Sequence, residues 1–292
     1  MFITITKQSI SRFTGTYYIN HPPIYINIRM VVNEVKSLFK GTDDKQKDFG
    51  WYEFTLEELG LPSADKILKG VKEIESKVGL FNWRTKHHTH EKYKGFGLTY
   101  NPDFFDGTNK YHQVFGSPLL HQSYSRGDGT DIGDHKQIVD TYYDSFSFRK
   151  IDNLINEELG LLFDRFKFPI LRSRVAYIFG HGKEPTNKGW HLDEPTNEVL
   201  RLNIPLQTSE EYAIEVKNKT YVLEIGKVYL WNTRLPHRPT ILKKVESLQP
   251  RINIVLGVSP WLDYDKENDS FSKNEYFGKP VNEIVKEKLF VK

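Results

Sequence analysis

The stretch at residues 199–206 decides the fold, and it reads VLRLNIPL. In an extended chain, successive side chains point to opposite faces. Leu200, Leu202 and Ile204 therefore share one face. Arg201 and Asn203 share the other. The pattern predicts a strand that covers an apolar core with one face and turns two polar side chains toward a different environment.

Other short alternating segments surround this strand. Gly226-Lys227 and Asn218-Lys219 mark turns between them. Many short strands at short spacing predict an all-β sandwich or barrel, and a jelly roll is the natural candidate. The predicted strands are residues 171–179, 199–206, 212–216, 220–225, 228–231 and 251–258.

The first half of the chain has a different pattern, in which apolar stripes of helical period alternate with polar, aromatic loops. The clearest predicted helix covers residues 63–78, with Ser63 as the N-cap and Gly79 ending it. Helices are also predicted over residues 31–39 and 151–163, and a mobile loop over the glycine- and aspartate-rich residues 123–135.

We therefore expect a mainly β protein with flanking helices. Its double-stranded β-helix core, a cupin-like jelly roll, lies within residues 165–292 together with a C-terminal tail. Residues 1–164 form a helical extension that buttresses this core, and residues 80–148 supply loops on the substrate side. The two regions are expected to make one compact unit.

Composition narrows the chemistry. The 292 residues include no cysteine, which excludes a disulfide scaffold, a cysteine nucleophile and thiolate metal sites. Any metal must therefore be held by His, Asp or Glu. The net charge of +3 gives no support for nucleic-acid binding. No apolar run of membrane-spanning length and no signal peptide is present, so we expect a soluble, cytoplasmic protein.

Two segments carry candidate metal ligands, GWHLDE at residues 189–194 and LPHRP at residues 235–239. In a strand, His191 and Asp193 would point to the same side, and His237 from a later segment would complete the set. Two imidazoles and one carboxylate leave three positions open on an octahedral ion, which suits non-haem Fe(II). A His-x-Asp tripeptide alone is not specific, and a surface histidine beside a turn aspartate is the plain alternative.

Arg251 opens a predicted strand whose bulky apolar residues place it in the interior, and a buried guanidinium must be paired. Its planar fork fits either the far carboxylate of an acidic co-substrate or an Asp or Glu of the fold. Arg201 and Asn203 also reach the site if their face lines a cavity.

The ordered set of motifs resembles the Fe(II)/2-oxoglutarate-dependent oxygenases, and within them the aspartyl/asparaginyl β-hydroxylase family. The resemblance covers about residues 172–262. Its motifs are His191, RLNIPL at 201–206, GKVYLWN at 226–232, His237, Arg251 and the VSPWL segment at 258–262. Well-studied members of that family carry Gly where this chain has Asp193, so the chain restores the full triad of the wider superfamily. The N-terminal half matches nothing known to us.

The resemblance implies that His191, Asp193 and His237 hold Fe(II), while Arg251 binds the far carboxylate of 2-oxoglutarate. It also implies that Arg201 binds the near carboxylate or an acidic substrate. Tyr177 lies on a predicted strand that neighbours the site in the related family, so it is either a hydrogen-bond donor to 2-oxoglutarate or a core tyrosine. Oxidative decarboxylation with dioxygen then yields succinate and drives hydroxylation of an unactivated carbon. The retained Asp193 argues against halogenation. Trp190 and Trp231 either shield the site from water or are ordinary core aromatics.

Alternatives remain at this point. The same fold hosts cupin-like modules that bind a metal or an acidic ligand without turnover. A nucleic-acid-modifying oxygenase is the weaker option, suggested by interleaved basic and aromatic residues at 81–126. The histidines of residues 86–90 are interpreted as a polar loop. The expected substrate is a small molecule, a free amino acid or a peptide, and the sequence gives no oligomeric state.

Overall fold

The computed structural model describes residues 34–40, 50–84, 89–100, 102, 145–151, 155–180, 190–243 and 249–292. The first part of the predicted helix at 31–39, the predicted loop at 123–135 and most of the predicted substrate-side region at 80–148 lie outside the described residues. Residues 34–38 are helical, in agreement with the part of that first helix that is described.

Seven antiparallel strands form the main sheet. In spatial order they run β1-β10-β7-β12-β6-β3-β2. Three of these strands come from the N-terminal half, which was expected to contribute helices and loops. Their bounds are β1 Trp51–Thr55, β2 Phe81–Arg84, β3 Thr89–Gly97, β6 Ile170–Ile178, β7 Leu200–Gln207, β10 Lys227–Trp231 and β12 Arg251–Val258.

A second sheet of three antiparallel strands has the order β11-β8-β9. It consists of β8 Tyr212–Val216, β9 Lys219–Val222 and β11 His237–Ile241. Two short ladders lie outside these sheets, β4 Thr99–Tyr100 with β5 Lys150–Ile151 and β13 Leu262–Asp265 with β14 Ser270–Lys273.

Besides the short helix at 34–38, the described part of the chain has three helices that flank the strands, α1 Ala64–Val78, α2 Glu157–Phe163 and α3 Val281–Lys286. The prediction for α1 is confirmed. The helix ends at Gly79, whose φ of 75° is a backbone conformation that glycine adopts without strain. The predicted helix at 151–163 begins too early, because the Asn156 side chain accepts a hydrogen bond from the Leu159 amide and caps α2 there.

The main sheet separates two environments. On one face, side chains of β7 and β12 such as Leu202 and Ile254 are fully buried against α1, α2 and α3 in the principal apolar core. The other face and the three-stranded sheet together line a polar cavity. Two antiparallel sheets with a site between them form a double-stranded β-helix, so the predicted fold class is confirmed.

The structure contains no helix, within the described ranges, whose length and hydrophobicity would let it cross a bilayer.

Candidate active site

The structure brings His191, Asp193 and His237 together in the cavity between the sheets. One ligand atom of each residue lies within 4.8 Å of the other two. His237 Nε2 lies 3.5 Å from Asp193 Oδ2, and the two imidazole rings are 4.4 Å apart between centroids. Two imidazole nitrogens and one carboxylate oxygen at this spacing fit one divalent transition-metal ion bound from one side.

Backbone hydrogen bonds fix the triad. His191 and His237 exchange N–H to C=O hydrogen bonds at 3.1 Å in both directions, and the Asp193 amide donates to the Thr233 carbonyl at 3.0 Å. From the alternation of an extended chain we predicted that His191 and Asp193 point to the same side. The structure has only an isolated bridge at His191, whereas His237 opens β11. The ligands converge because the bridge, rather than strand alternation, sets their direction.

The His237 ring is held in one orientation. Its Nδ1 lies 2.9 Å from the Leu235 carbonyl oxygen, which can only accept a hydrogen bond. The ring therefore donates Nδ1–H to this carbonyl and leaves the lone pair of Nε2 directed at the cavity. Carbonyls that bind the outer nitrogen of a histidine are typical of metal-ligating imidazoles. His237 is only 3% exposed, so this orientation is also fixed by packing.

The Asp193 carboxyl is held ionised. Burial raises its pKa, but the contact with the His237 ring and the positive charge of Arg201 act in the opposite direction, and the net pKa is well below the usual value. A negative carboxylate beside two imidazoles attracts a cation. The electrostatics of the triad therefore agree with its geometry.

Arg251 lies in the wall of the same cavity and is 2% exposed. Its Nε and Nη1 are buried and have no hydrogen-bond partner among the described residues. Burial lowers the pKa of the guanidinium to about 10, which leaves it charged at neutral pH. The alternative of an ion pair with Asp or Glu is not observed in the described part of the chain. A buried cation with unused donors favours an anionic ligand.

Arg201 lines the cavity, as the alternation predicts, but its guanidinium is already paired. Its Nη2 and Nε donate to the two carboxylate oxygens of Glu194 at 2.7 and 3.3 Å. Its Nη1 donates to the Arg172 carbonyl at 2.8 Å, and Nη2 also donates to Ser145 Oγ. Every nitrogen of this guanidinium therefore has a partner within the protein.

Asn203 lines the cavity beside Arg201, in agreement with the predicted face. Its Oδ1 accepts a hydrogen bond of 3.0 Å from Asn253 Nδ2. Asn253 is 3% exposed, and its own Oδ1 has no partner among the described residues. The two amides thus form a pair in the wall that presents polar atoms to a ligand.

Tyr177 does not line the cavity, so it does not lie where a contact with the co-substrate would place it. Its neighbours Ala176 and Ile178 line the cavity, whereas Tyr177 packs in the core on the opposite face of β6. Its hydroxyl donates to Glu75 of α1 at 2.6 Å. The period of two residues along β6 explains this placement. Of the two interpretations of Tyr177, the core tyrosine is the one that agrees with the structure.

Several cavity residues were not singled out from the sequence. The same alternation could have found Arg174 on β6 and Asn253 on β12, since each lies two or four residues from a cavity-facing neighbour. Trp231 lines the cavity, whereas Trp190 is 47% exposed and lies beneath the guanidinium of Arg238 at 4.7 Å. Of the polar loop predicted at residues 86–90, positions 86–88 lie outside the described residues, whereas Thr89 and His90 begin β3.

Comparisons with known proteins complete the description. No family model matches the sequence, and no curated protein matches it. Among solved structures, the chain is similar to a prolyl hydroxylase from Trichoplax adhaerens in complex with a peptide fragment of the hypoxia-inducible factor oxygen degradation domain. The identity is 13%, the coverage 81% of this chain and 90% of that chain, and the TM-score 0.37.

A prolyl-4-hydroxylase from Pseudomonas putida is 11% identical over 79% of this chain and 99% of its own, with a TM-score of 0.36. The α-ketoglutarate-dependent epimerase SnoN from nogalamycin biosynthesis is 10% identical over 79% and 84%, also with a TM-score of 0.36. All three TM-scores lie below 0.5.

Proposed function

We propose that the chain is an Fe(II)- and 2-oxoglutarate-dependent oxygenase that hydroxylates an unactivated carbon of an amino acid, a peptidyl side chain or a related small molecule. One observation carries the proposal. The His191, Asp193 and His237 triad shares a cavity with Arg251, a buried guanidinium whose Nε and Nη1 lack partners among the described residues. A metal alone would explain the triad, and an acidic ligand beside the metal would explain the arginine as well.

The protein's own groups divide the work. The triad would hold the iron, which together with 2-oxoglutarate supplies activation of dioxygen that no side chain provides. The Leu235 carbonyl keeps His237 Nε2 directed at the cavity. Arg251 binds and orients a carboxylate at one end of the cavity, and burial strengthens that interaction because water does not compete for the guanidinium. Trp231 contributes apolar surface that limits water beside the triad.

Among the remaining residues predicted to bind the co-substrate, we keep Asn203 and add Asn253. Their paired amides line the cavity, and the free Asn253 Oδ1 can accept a hydrogen bond from a bound ligand or water. We leave out Arg201, since Glu194 and the Arg172 carbonyl occupy its donors. Tyr177 is also left out, because its hydroxyl binds Glu75 on the far side of the sheet.

The finer assignment, to the aspartyl/asparaginyl β-hydroxylases, is supported by the order of motifs from His191 to the tryptophan at 261. Asp193 supports hydroxylation over halogenation, since its carboxylate occupies the position that a halide would need. The substrate would be a small molecule or a peptide that enters the cavity between the two sheets.

The test is formation of succinate from 2-oxoglutarate under air with added Fe(II), first without any other substrate. We expect slow uncoupled turnover, its loss in Asp193→Ala, and its retention in Asp65→Ala, which removes an exposed carboxylate of α1. No succinate together with tight binding of 2-oxoglutarate would favour a non-catalytic binding module. No binding of either metal or 2-oxoglutarate would contradict the proposal.

A further inference from the structure

Glu194 directly follows the ligand Asp193, but its side chain takes no part in the triad. Its Oε1 accepts hydrogen bonds from Arg172 Nη1, Arg201 Nη2 and Ser145 Oγ, each at 2.7 Å. Its backbone carbonyl accepts another hydrogen bond from Thr233 Oγ1 at 2.9 Å. Two adjacent carboxylates on one short segment thus have different surroundings. One faces the metal ligands, and the other faces two guanidinium groups.

Asp193 and Glu194 are both close enough to Arg201 for its positive charge to act on them. Arg201 lies in the cavity wall with Asp193, and its charge acts on that carboxylate. A guanidinium that is 2% exposed cannot remain without a counter-ion except at high cost. If Glu194 did not occupy it, Asp193 would be the nearest remaining acid on the same segment. An Asp193 paired with Arg201 would be drawn away from the metal ligands.

We propose that Glu194 is a positioning residue that occupies Arg201 and so keeps Asp193 available to the metal. The inference rests on the proposed function, since it gives Asp193 the role of a metal ligand. The bidentate geometry supports it, because Nη2 and Nε of Arg201 bind the two oxygens of Glu194 at 2.7 and 3.3 Å. Ser145 completes the arrangement by accepting from Arg201 and donating to Glu194.

A double-mutant cycle separates this role from simple structural support. The probe is Co(II), whose binding and visible spectrum are measured on the full chain without 2-oxoglutarate. Removal of a group that orients a metal ligand typically weakens metal binding about 10- to 100-fold, and we expect that loss for Glu194→Gln. Replacing Arg201 by Met in the same chain removes the competing cation. The double variant should therefore bind Co(II) within about threefold of wild type, as should Arg201→Met alone.

The matched control is Glu158→Gln, which removes a carboxylate paired with Lys69 at 2.7 Å at the protein surface. It should leave Co(II) affinity and the spectrum unchanged. A purely structural role of Glu194 predicts the opposite pattern, in which the double variant binds no better than Glu194→Gln. That result, or wild-type Co(II) affinity in Glu194→Gln, would overturn the inference.

Two further outcomes are decided by the same set of proteins. If Glu194→Gln does not fold, Arg201→Met alone carries the test, and a loss of Co(II) affinity as large as that of Asp193→Ala would overturn the inference. A wild-type chain that binds no Co(II) would overturn both this inference and the proposed function. Normal binding in wild type with no effect of Glu194→Gln would overturn the inference alone.

Discussion

His191 and His237 face each other across an isolated bridge in which each backbone N–H donates to the other residue's carbonyl at 3.1 Å. The bond pair joins two segments that are 46 positions apart in the chain. It places the imidazole rings side by side without any contribution from the rings themselves. Because side-chain substitutions leave these backbone bonds in place, the metal ligands can be removed while the local chain path is retained.

The first prediction follows from this bridge. His191→Ala and Asp193→Ala should each abolish measurable Co(II) binding but change the unfolding free energy by no more than about 1 kcal/mol, since neither residue is fully buried. Calorimetric titration with Co(II) and thermal unfolding of the same samples provide the two measurements. The control is Asp65→Ala, which removes an exposed carboxylate. Retention of Co(II) affinity in both site variants would show that the triad is not the metal site.

His237→Ala should behave differently in the unfolding measurement. It removes the ring that donates to the Leu235 carbonyl at 2.9 Å and is 3% exposed. We expect loss of Co(II) binding together with a decrease in unfolding free energy of about 2 kcal/mol, from a lost hydrogen bond and a cavity. Equal stability losses in His191→Ala and His237→Ala would contradict the difference in burial and bonding that the structure assigns to them.

Arg251 gives a prediction in which binding and stability change in opposite directions. Its buried Nε and Nη1 have no partner among the described residues, so the fold carries a cost that the ligand would offset. Arg251→Met should raise the unfolding free energy of the ligand-free protein by about 1–3 kcal/mol. It should also weaken binding of 2-oxoglutarate at least about 100-fold, because it removes a charge-assisted bidentate contact.

Arg149→Met is the matched control for that substitution. The Arg149 side chain is equally buried, but its Nε and Nη2 bind the carboxylate of Asp269 at 2.7 and 2.5 Å. Its loss should lower the unfolding free energy by about 1–3 kcal/mol and leave 2-oxoglutarate affinity unchanged. The two measurements are chemical denaturation and equilibrium titration. If Arg251→Met destabilised the protein as Arg149→Met does, Arg251 would have a structural partner and the co-substrate role would lose its support.

The sequence predicted those parts of the fold in which alternation is regular. In β7, Leu202 faces the core and Arg201 faces the cavity, because a strand with a period of two residues has only these two faces. The same reasoning predicted β12 and α1 with their bounds correct to within one residue. The convergence of His191, Asp193 and His237 was also predicted from the types of residue and their order along the chain.

The remainder depends on contacts between distant segments, which alternation does not specify. Nothing in the sequence around Arg201 distinguishes pairing with Glu194 from binding a co-substrate, because both partners are carboxylates. The start of α2 was predicted too early for a similar reason, since Ile151 continues a helical stripe but pairs with Thr99 in a short ladder. Alternation along β6 shows that Tyr177 and its neighbours Ala176 and Ile178 face opposite sides of the sheet, but it does not show which of the two sides meets the cavity.

Tyr177→Phe tests that face directly. The substitution removes a hydrogen bond of 2.6 Å to Glu75 and keeps the ring, so the unfolding free energy should fall by about 1 kcal/mol. Because the hydroxyl lies on the core side of the sheet, the affinity for 2-oxoglutarate should equal that of wild type within about twofold. Isothermal titration checks this. A tenfold weaker affinity at unchanged stability would place the hydroxyl at the co-substrate instead.

Gly257 provides the last prediction, because the main sheet leaves no room for a side chain there. A Cβ at this position of β12 would lie 2.2 Å from the carbonyl oxygen of Leu171 and 3.2 Å from Arg201 Nη1. The first neighbour is backbone of the paired strand β6, and the ladder is already irregular between Val255 and Gly257, so the strands must separate. Gly257→Ala should therefore lower the unfolding free energy by about 3 kcal/mol or more.

The control for Gly257 is Gly160→Ala in α2, where an added Cβ meets nothing within 4 Å. Since Ala favours a helix over Gly, this change should raise the unfolding free energy by about 0.5–1 kcal/mol. Gly257→Ala should also weaken Co(II) binding, because a displaced Arg201 would lose its contact with Glu194 and become free to pair with Asp193. Denaturation and Co(II) titration of both variants measure these effects. Unchanged stability in Gly257→Ala would contradict the close approach of β12 to β6, and with it the packing that holds Arg201 in the cavity wall.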